Sequence, residues 1–219
     1  LGFAVLIWMA VSAHRDAPPI PEKVVRPSGE LVFTREDILE GQQVFLKYGL
    51  MENGSIWGHG AYLGPDFSAE YLHTLSLDAR ETLAKQNFNR GFNELNPVEQ
   101  GAATIDVQRL LKQNRYDPRT KILTFADAES LSYQNQISKW TAYFNQTTVN
   151  RGLLAKHIKD EKELQQLTAF FAWTAWASVT NRPGKFYSYT NNFPYDPTVG
   201  NLPTSDAILW SALSLITLL

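Results

Sequence analysis

Leu50-Met51-Glu52-Asn53-Gly54 lies between two glycine-bearing flanks, Gly41-Gln42-Gln43-Val44-Phe45-Leu46-Lys47-Tyr48-Gly49 and Gly58-His59-Gly60-Ala61-Tyr62-Leu63-Gly64-Pro65-Asp66. None of the 219 residues is cysteine. Disulfides, thiolate metal sites and thioether-bound cofactors are therefore excluded. Any role of the pentapeptide must come from its carboxylate, amide and apolar groups and from its backbone.

Apolar residues at helical spacing predict a helix on each side of this loop. Thr34-Arg35-Glu36-Asp37 has the pattern of a capping box, which starts a helix that runs to about Tyr48 and ends at Gly49. On the other side, Phe67 to Phe88 is predicted to form a second amphipathic helix. The expected core positions are Ile38, Leu39, Val44, Phe45 and Tyr48 in the first helix and Tyr71, Leu72, Leu75, Ala79 and Leu83 in the second.

The rest of the middle of the chain predicts three more helices and one small β insertion. Asn96-Pro97-Val98-Glu99 supplies a cap, an N1 proline and a glutamate for the third helix. Turn residues at 116–120 lead into a short strand, Lys121 to Phe125, which is typical of a hairpin. Further expected core positions are Ile105, Val107, Leu110 and Leu111 in the third helix and Leu131, Ile137, Trp140 and Phe144 in the fourth.

The last two predicted helices begin at acidic residues. Asp127 is expected to cap the fourth helix, and Asp160 opens the fifth, which stops near Pro183 and Gly184. A polar and aromatic loop follows over 185–203. The predicted fold class is mainly α: a helical domain over 34–184 with a small β-hairpin insertion.

The composition excludes some functions and limits the size of the core. With 44% hydrophobic and 19% charged residues, the chain can bury one substantial core, or one core plus membrane segments. A net charge of -2 and the absence of a Lys/Arg cluster argue against nucleic acid as a partner.

Both ends of the chain are apolar. Residues 1–13 and 207–219 contain no charged side chain, and each run is shorter than the roughly twenty residues that span a bilayer. We predict that 1–13 is the end of one transmembrane helix and 204–219 the start of another, with a proline-rich linker over 14–33. Alternative interpretations are a secretory signal ending at Val11-Ser12-Ala13 and a buried C-terminal helix. No positive charge excess marks this side as cytoplasmic, which favours an outward-facing domain.

The residues offer no catalytic set on their own. His14, His59, His73 and His157 are far apart in sequence and match no metal-binding spacing. Acidic pairs such as Glu36/Asp37 and Glu161/Glu163 most simply serve helix N-termini.

Three segments of the chain carry a resemblance to a known family. The segments are Gly41 to Tyr48, Gly58 to His73, and Thr190-Asn191-Asn192-Phe193-Pro194-Tyr195-Asp196-Pro197. They resemble the N-terminal region of quinol-dependent nitric oxide reductases, in which one chain joins a cytochrome-c-like outer domain to a catalytic membrane bundle. The resemblance implies a multi-pass protein of the cell membrane, with this domain on the outer side. It also implies that the catalytic residues lie outside this chain.

The resemblance to cytochrome-c-dependent relatives shows what this chain lacks. Leu50 and Asn53 stand where those relatives have the two haem-linking cysteines, Gly54 where they have the proximal histidine, and Leu154 near the axial methionine. None of these four residues can hold a haem c as the relatives do. The emptied pocket is expected to be filled by side chains, with Trp57, Phe92, Trp140, Tyr143 and Phe144 as candidates.

One metal ligand is implied by the family match. Tyr62 matches the tyrosine that helps to bind a calcium ion in the cytochrome-c-dependent relatives, and calcium prefers oxygen donors. A tyrosine packed at the base of the domain is the structural alternative. The full enzyme is implied to hold two b-type haems, non-haem iron and calcium. Its implied partners are quinol, membrane lipid and the catalytic bundle of the same polypeptide, without cytochrome c.

Two other classes of protein stay open at this point. One is a non-enzymatic sensor or interaction domain tethered by two membrane helices. The other is a secreted helical protein. Histidines on long apolar helices after Leu219 would favour the reductase over the sensor, and retention of residues 1–13 in the mature protein would exclude the secreted form.

Overall fold

The computed structural model describes residues 2–149 and 151–218, which form seven α-helices and six short strands. The helices are α1 Gly2–Arg15, α2 Arg35–Lys47, α3 Phe67–Phe88, α4 Pro97–Lys112, α5 Asp127–Phe144, α6 Glu161–Val179 and α7 Ser205–Leu218. The strands are β1 Lys23–Val25, β2 Leu31–Thr34, β3 Ser55–Ile56, β4 His59–Gly60, β5 Tyr116–Asp117 and β6 Ile122–Thr124. The mainly helical class is confirmed.

The helices begin where side chains satisfy their first backbone N–H groups. The Thr34 hydroxyl accepts from the Asp37 N–H at 3.2 Å, and the Asp37 carboxylate accepts from the Thr34 N–H at 2.8 Å. Asn96 and Glu99 form the same reciprocal box at α4. The predicted cap of α5 is wrong by one residue, because the Ala126 N–H donates to the Glu129 carboxylate and Asp127 is already helical.

The predicted hairpin is half of a larger sheet. The four strands have the order β2-β1-β6-β5, with β1 parallel to β6 and the other pairs antiparallel. Most of β1 and β2 lies in the segment 14–33, which the prolines predict to be an extended linker. Val24 and Phe33 are buried there, so each of these two short strands contributes one side chain to the hydrophobic core.

The core surrounds α6. Helices α2, α3 and α5 pack on it, and α4 packs on α3. Its largest fully buried side chains include Phe45, Phe67, Tyr71, Trp140, Phe144 and Phe171. Two predicted core positions are wrong, because Ile105 is 55% exposed and Leu131 is 47% exposed. Each lies at helical spacing from buried residues but on the outer edge of the apolar face.

The terminal helices α1 and α7 are each 14 residues long. Their large apolar side chains are exposed, as at Trp8 and Trp210. Across the two described stretches, no helix has both the length and the apolar character that crossing a bilayer requires. That these helices are parts of membrane spans stays a prediction.

Candidate functional site

The segment between α2 and α3 forms a compact loop built on its own backbone. Gly49 adopts a positive φ of 60° and ends α2, and a single 3₁₀ turn, Leu50–Glu52, follows. The chain then makes the β3–β4 hairpin and returns, so that the Ala61 N–H donates to the carbonyl oxygens of Met51 and Gly54. The loop therefore has one defined conformation despite its glycine content.

Asp66 ties this loop to α3. One carboxylate oxygen accepts from the Ser55 hydroxyl at 2.9 Å and from the Gly58 N–H at 2.6 Å. The other accepts from the Ala69 N–H at 2.9 Å and from the Ser68 hydroxyl. Because both oxygens are engaged in the loop and the helix cap, Asp66 is a structural anchor rather than an open metal ligand.

Trp57 fixes the tip of the hairpin. It has φ 54° and Gly58 has φ 79°, the pair of positive values that a tight hairpin turn requires, although a bulky residue rarely adopts them. The indole N–H donates to the Thr174 carbonyl at 3.0 Å, and the ring lies 5.6 Å from that of Trp173. These contacts with α6 hold the hairpin in a backbone conformation that is unfavourable for tryptophan.

The structure brings three of the four positions that lack haem ligands together. Leu50 is fully buried, and Gly54 and Asn53 are buried beside it. The Asn53 amide donates to the Arg151 carbonyl, which ties the loop to the segment before α6. Leu50 therefore belongs to the hydrophobic core, and Asn53 is buried with its amide group hydrogen-bonded.

Gly54 has no room for any side chain. A Cβ atom there would lie 2.2 Å from the Pro65 carbonyl oxygen and 2.7 Å from Cε2 of Phe67. The Phe67 ring is stacked on Phe171 with centroids 4.9 Å apart, and Phe45 meets it edge-on at 5.8 Å. With no cysteine, no space for a histidine and a phenylalanine ring against the position, the residues present do not fit a c-type haem.

Leu154, the fourth such position, is not brought to the other three. It is 69% exposed, whereas Leu153 beside it is 6% exposed and joins the core. The leucine that this loop contributes to the interior is therefore one residue earlier than the family match places the missing ligand.

The structure also separates the candidate pocket-filling residues. Trp140 and Phe144 are buried within 6.1 Å of the Phe67 ring, and Tyr143 packs against both of them. Phe92 belongs to a second small cluster with Ala84, Leu95 and Ala103. Phe67 itself is missing from the predicted candidates, although its place directly after the helix cap aims it at the interior.

Tyr62 lies on the loop after β4 and is 89% exposed. It makes no hydrogen bond to any residue in 2–149 or 151–218, and its ring lies on the surface of the domain. The two nearest carboxylates in sequence are occupied, Asp66 by four donors and Glu70 by Lys139 at 2.5 Å. Neither carboxylate could therefore ligate a calcium ion beside Tyr62 without giving up some of these contacts.

No group of three or more His, Asp or Glu residues that could hold a metal ion occurs in the described parts of the chain. His73 instead lies 3.2 Å from Asp196, and the His157 ring contacts the Tyr48 carbonyl at 3.1 Å.

Glu163 and Lys112 are among the titratable groups whose pKa values are shifted by packing. Hydrogen bonds from Lys47 and Tyr48 lower the pKa of the Glu163 carboxyl, which joins α6 to α2. Burial lowers the pKa of Lys112 to about 8. Among the described residues, its ammonium donates only to the side-chain oxygens of Asn192 and Asn201, at 3.1 and 2.5 Å. Neither group lies in the loop that carries Tyr62.

A family of known proteins matches most of the chain. The family described as the cytochrome c-like domain of the nitric oxide reductase protein NorB matches residues 21–195. This range contains the whole loop between α2 and α3 and all five helices of the core, together with both sheets. No curated protein matches the chain.

Proposed function

The chain belongs to the family of NorB cytochrome c-like domains of nitric oxide reductase, and from this membership we propose that it is the haem-free outer domain of a quinol-dependent enzyme. The proposed reaction joins two nitric oxide molecules, with two electrons from quinol and two protons, to give nitrous oxide and water. The catalytic residues and the metal ligands would lie in other parts of the enzyme.

The packing at Gly54 is the observation that carries the proposal of quinol as donor. A cytochrome-c-like domain passes electrons only through its haem, and here Phe67 and its aromatic neighbours pack against Gly54, the position that the family match gives to the proximal histidine. A domain filled in this way offers no redox group to an external cytochrome. Electrons would then enter the enzyme directly from quinol in the membrane.

The proposed role of the domain is to cover the catalytic bundle. Two of its segments expose apolar side chains next to one another, because Phe193 contacts the hairpin at Gly58. Tyr62, Leu63 and Tyr195 on these segments are each at least 66% exposed. Soluble surfaces rarely expose such a group, which favours burial against another part of the enzyme.

The choice of electron donor can be tested on the intact enzyme. Nitric oxide consumption should be supported by a water-soluble quinol and not by reduced cytochrome c. A haem-c-containing nitric oxide reductase serves as the positive control for cytochrome oxidation. Turnover with reduced cytochrome c at a rate similar to that with quinol would overturn the proposal.

Tyr62 is proposed as a calcium ligand through its exposed phenol. Tyr62→Phe should lower the calcium content of the intact enzyme and its activity. Tyr195→Phe removes another exposed phenol and should leave calcium unchanged. Full calcium content and activity in Tyr62→Phe would count against this part of the proposal without affecting the choice of donor.

A further inference from the structure

Two adjoining clefts lie where α1 and α7 join the domain. The first, about 460 Å³ in volume, is walled by Arg15, Asp16, Arg182, Lys185, Tyr187 and Tyr189 and is named the basic cleft. The second, about 1080 Å³, is named the helix groove and is lined by Trp8 and Ser12 of α1 and by Asp206, Trp210 and Ser211 of α7. Asp16, Arg182, Tyr187 and Tyr189 line both clefts, so the two form one continuous depression.

The basic cleft carries an excess of positive charge. Its three cationic side chains face a single carboxylate, Asp16, which lies 3.2 Å from Arg15 and 3.8 Å from Arg182. Lys185 is exposed and has no carboxylate partner in the parts of the chain that the structure describes. An anion entering this cleft would meet more cationic groups than the protein itself neutralises.

The guanidinium of Arg182 is held in place by the protein, and not all of its N–H groups have hydrogen-bond partners among the described residues. One terminal nitrogen donates to the Tyr189 carbonyl at 2.6 Å, and the guanidinium lies 5.9 and 5.6 Å from the ring centroids of Tyr187 and Tyr189. Its Nε is buried and has no hydrogen-bond partner among the described residues. A guanidinium fixed in this way loses little entropy on binding, and its planar fork matches the oxygens of a phosphate.

The helix groove has a mixed lining, in which Trp8 and Trp210 lie among polar side chains that include Ser12, Asp206 and Ser211. Trp8 and Trp210 are 68% and 67% exposed, and Ile208 and Leu209 of α7 are also more than half exposed. Nothing in the described chain covers these side chains. Tryptophan and tyrosine at the border of apolar and charged surface are typical of the level at which lipid headgroups lie.

We propose that the basic cleft and the helix groove together bind one anionic phospholipid. The headgroup phosphate would lie between Arg15, Arg182 and Lys185, and an acyl chain would follow the groove past Trp8 and Trp210. Free phosphate shares the headgroup chemistry, but the continuity of the charged cleft with a groove that exposes Trp8 and Trp210 favours a ligand that has both a charged and an apolar part. This inference rests on the membrane location that accompanies the proposed function.

The test removes charge from the cleft without disturbing Arg182, whose hydrogen bond to Tyr189 is structural. The intact enzyme and the variant Arg15→Gln/Lys185→Gln are reconstituted in vesicles of phosphatidylglycerol or of phosphatidylcholine, extracted in mild detergent, and assayed for retained lipid by mass spectrometry. Arg119→Gln/Lys159→Gln is the matched control, because both residues are exposed and lie outside the clefts.

Each cation near an anionic lipid surface is expected to contribute about a fivefold change in affinity, so the double variant should lose phosphatidylglycerol on the order of twentyfold. The control should retain it, and phosphatidylcholine should be weakly retained throughout. Equal retention of both lipids, or no loss in the double variant, would overturn the proposal. Thermal stabilisation by inorganic phosphate without retained lipid would also overturn it and assign the cleft to free phosphate. Nitric oxide consumption by the same samples keeps a failure of this inference distinct from a failure of the proposed function.

Discussion

Phe67 occupies the space beside Gly54 so closely that a Cβ atom on the glycine would lie 2.7 Å from the phenylalanine ring. The Pro65 carbonyl oxygen would be closer still, at 2.2 Å. Backbone cannot move aside as the end of a flexible side chain can. The loop and the first turn of α3 therefore pack so closely around position 54 that only glycine fits there.

Gly54→Ala should destabilise the domain. The added methyl group overlaps backbone and a buried ring, and overpacking of this kind typically costs about 1 to 3 kcal/mol. Thermal unfolding of the intact enzyme measures the effect. Gly101→Ala is the matched control, since a Cβ there meets nothing within 4 Å and alanine is favoured in the middle of α4. Equal stability of the two variants would contradict the packing at Gly54.

Restoring the missing haem-binding side chains should not restore a haem. Leu50→Cys/Asn53→Cys/Gly54→His, expressed with a working cytochrome c maturation system, is expected to carry no covalent haem, because the Pro65 carbonyl and Phe67 leave no room for a side chain at position 54. Haem absorbance after denaturing electrophoresis is the measurement, with an authentic c-type cytochrome from the same cells as the control. A covalent haem in the variant would contradict this prediction, because it would show that the side chains around Gly54 can rearrange to admit the haem.

Helix boundaries can be predicted from the sequence because they depend on neighbouring residues. Thr34 with Asp37 and Asn96 with Glu99 form their caps within four residues, so the pattern contains the whole interaction. The span Phe67–Phe88 is predictable for the same reason.

Features that depend on distant contacts cannot be predicted in this way. The strand β1 pairs with β2 beside it and, in parallel, with β6, about a hundred residues later, and the short sequences of β1 and β2 lie among prolines. The burial of Leu153 instead of Leu154 is decided by how the loop meets Asn53, which no local pattern records. The charged cleft at Arg182 likewise combines residues from both ends of the chain.

Glu163 should contribute to stability above its unfolded pKa and lose this contribution in acid. Its carboxylate accepts from Lys47 at 2.5 Å and from Tyr48 at 2.7 Å, and the lowered pKa means that the folded state binds a proton less readily than the unfolded chain. Glu163→Gln should lower the free energy of unfolding by about 1 kcal/mol near neutral pH. The difference from wild type should shrink as the pH falls below about 4.5. Glu161→Gln removes a carboxylate from the same helical turn without these contacts, and a similar loss there would assign the effect to the helix dipole.

The last prediction concerns the loop that leads into α7. Lys112 projects from the end of α4 and holds this loop through Asn192 and Asn201, without a carboxylate among the described residues. Burial of the ammonium is therefore not offset by an opposite charge, which explains why its pKa falls from 10.5 to about 8.

Stability should therefore rise with pH between about 8 and 10.5, because over this range the unfolded chain keeps a proton on Lys112 that the folded domain has released. The rise should be about 1 to 2 kcal/mol once solvent screening at this partly exposed side chain is allowed for. Lys112→Met has no titrating group, so the melting temperature of wild type should increase relative to this variant as the pH rises through the range. Lys159→Met, at an exposed lysine, controls for loss of charge. A constant difference between wild type and Lys112→Met from pH 8 upward would mean that the ammonium is solvated, and that the two asparagines rather than its burial determine how the loop is held.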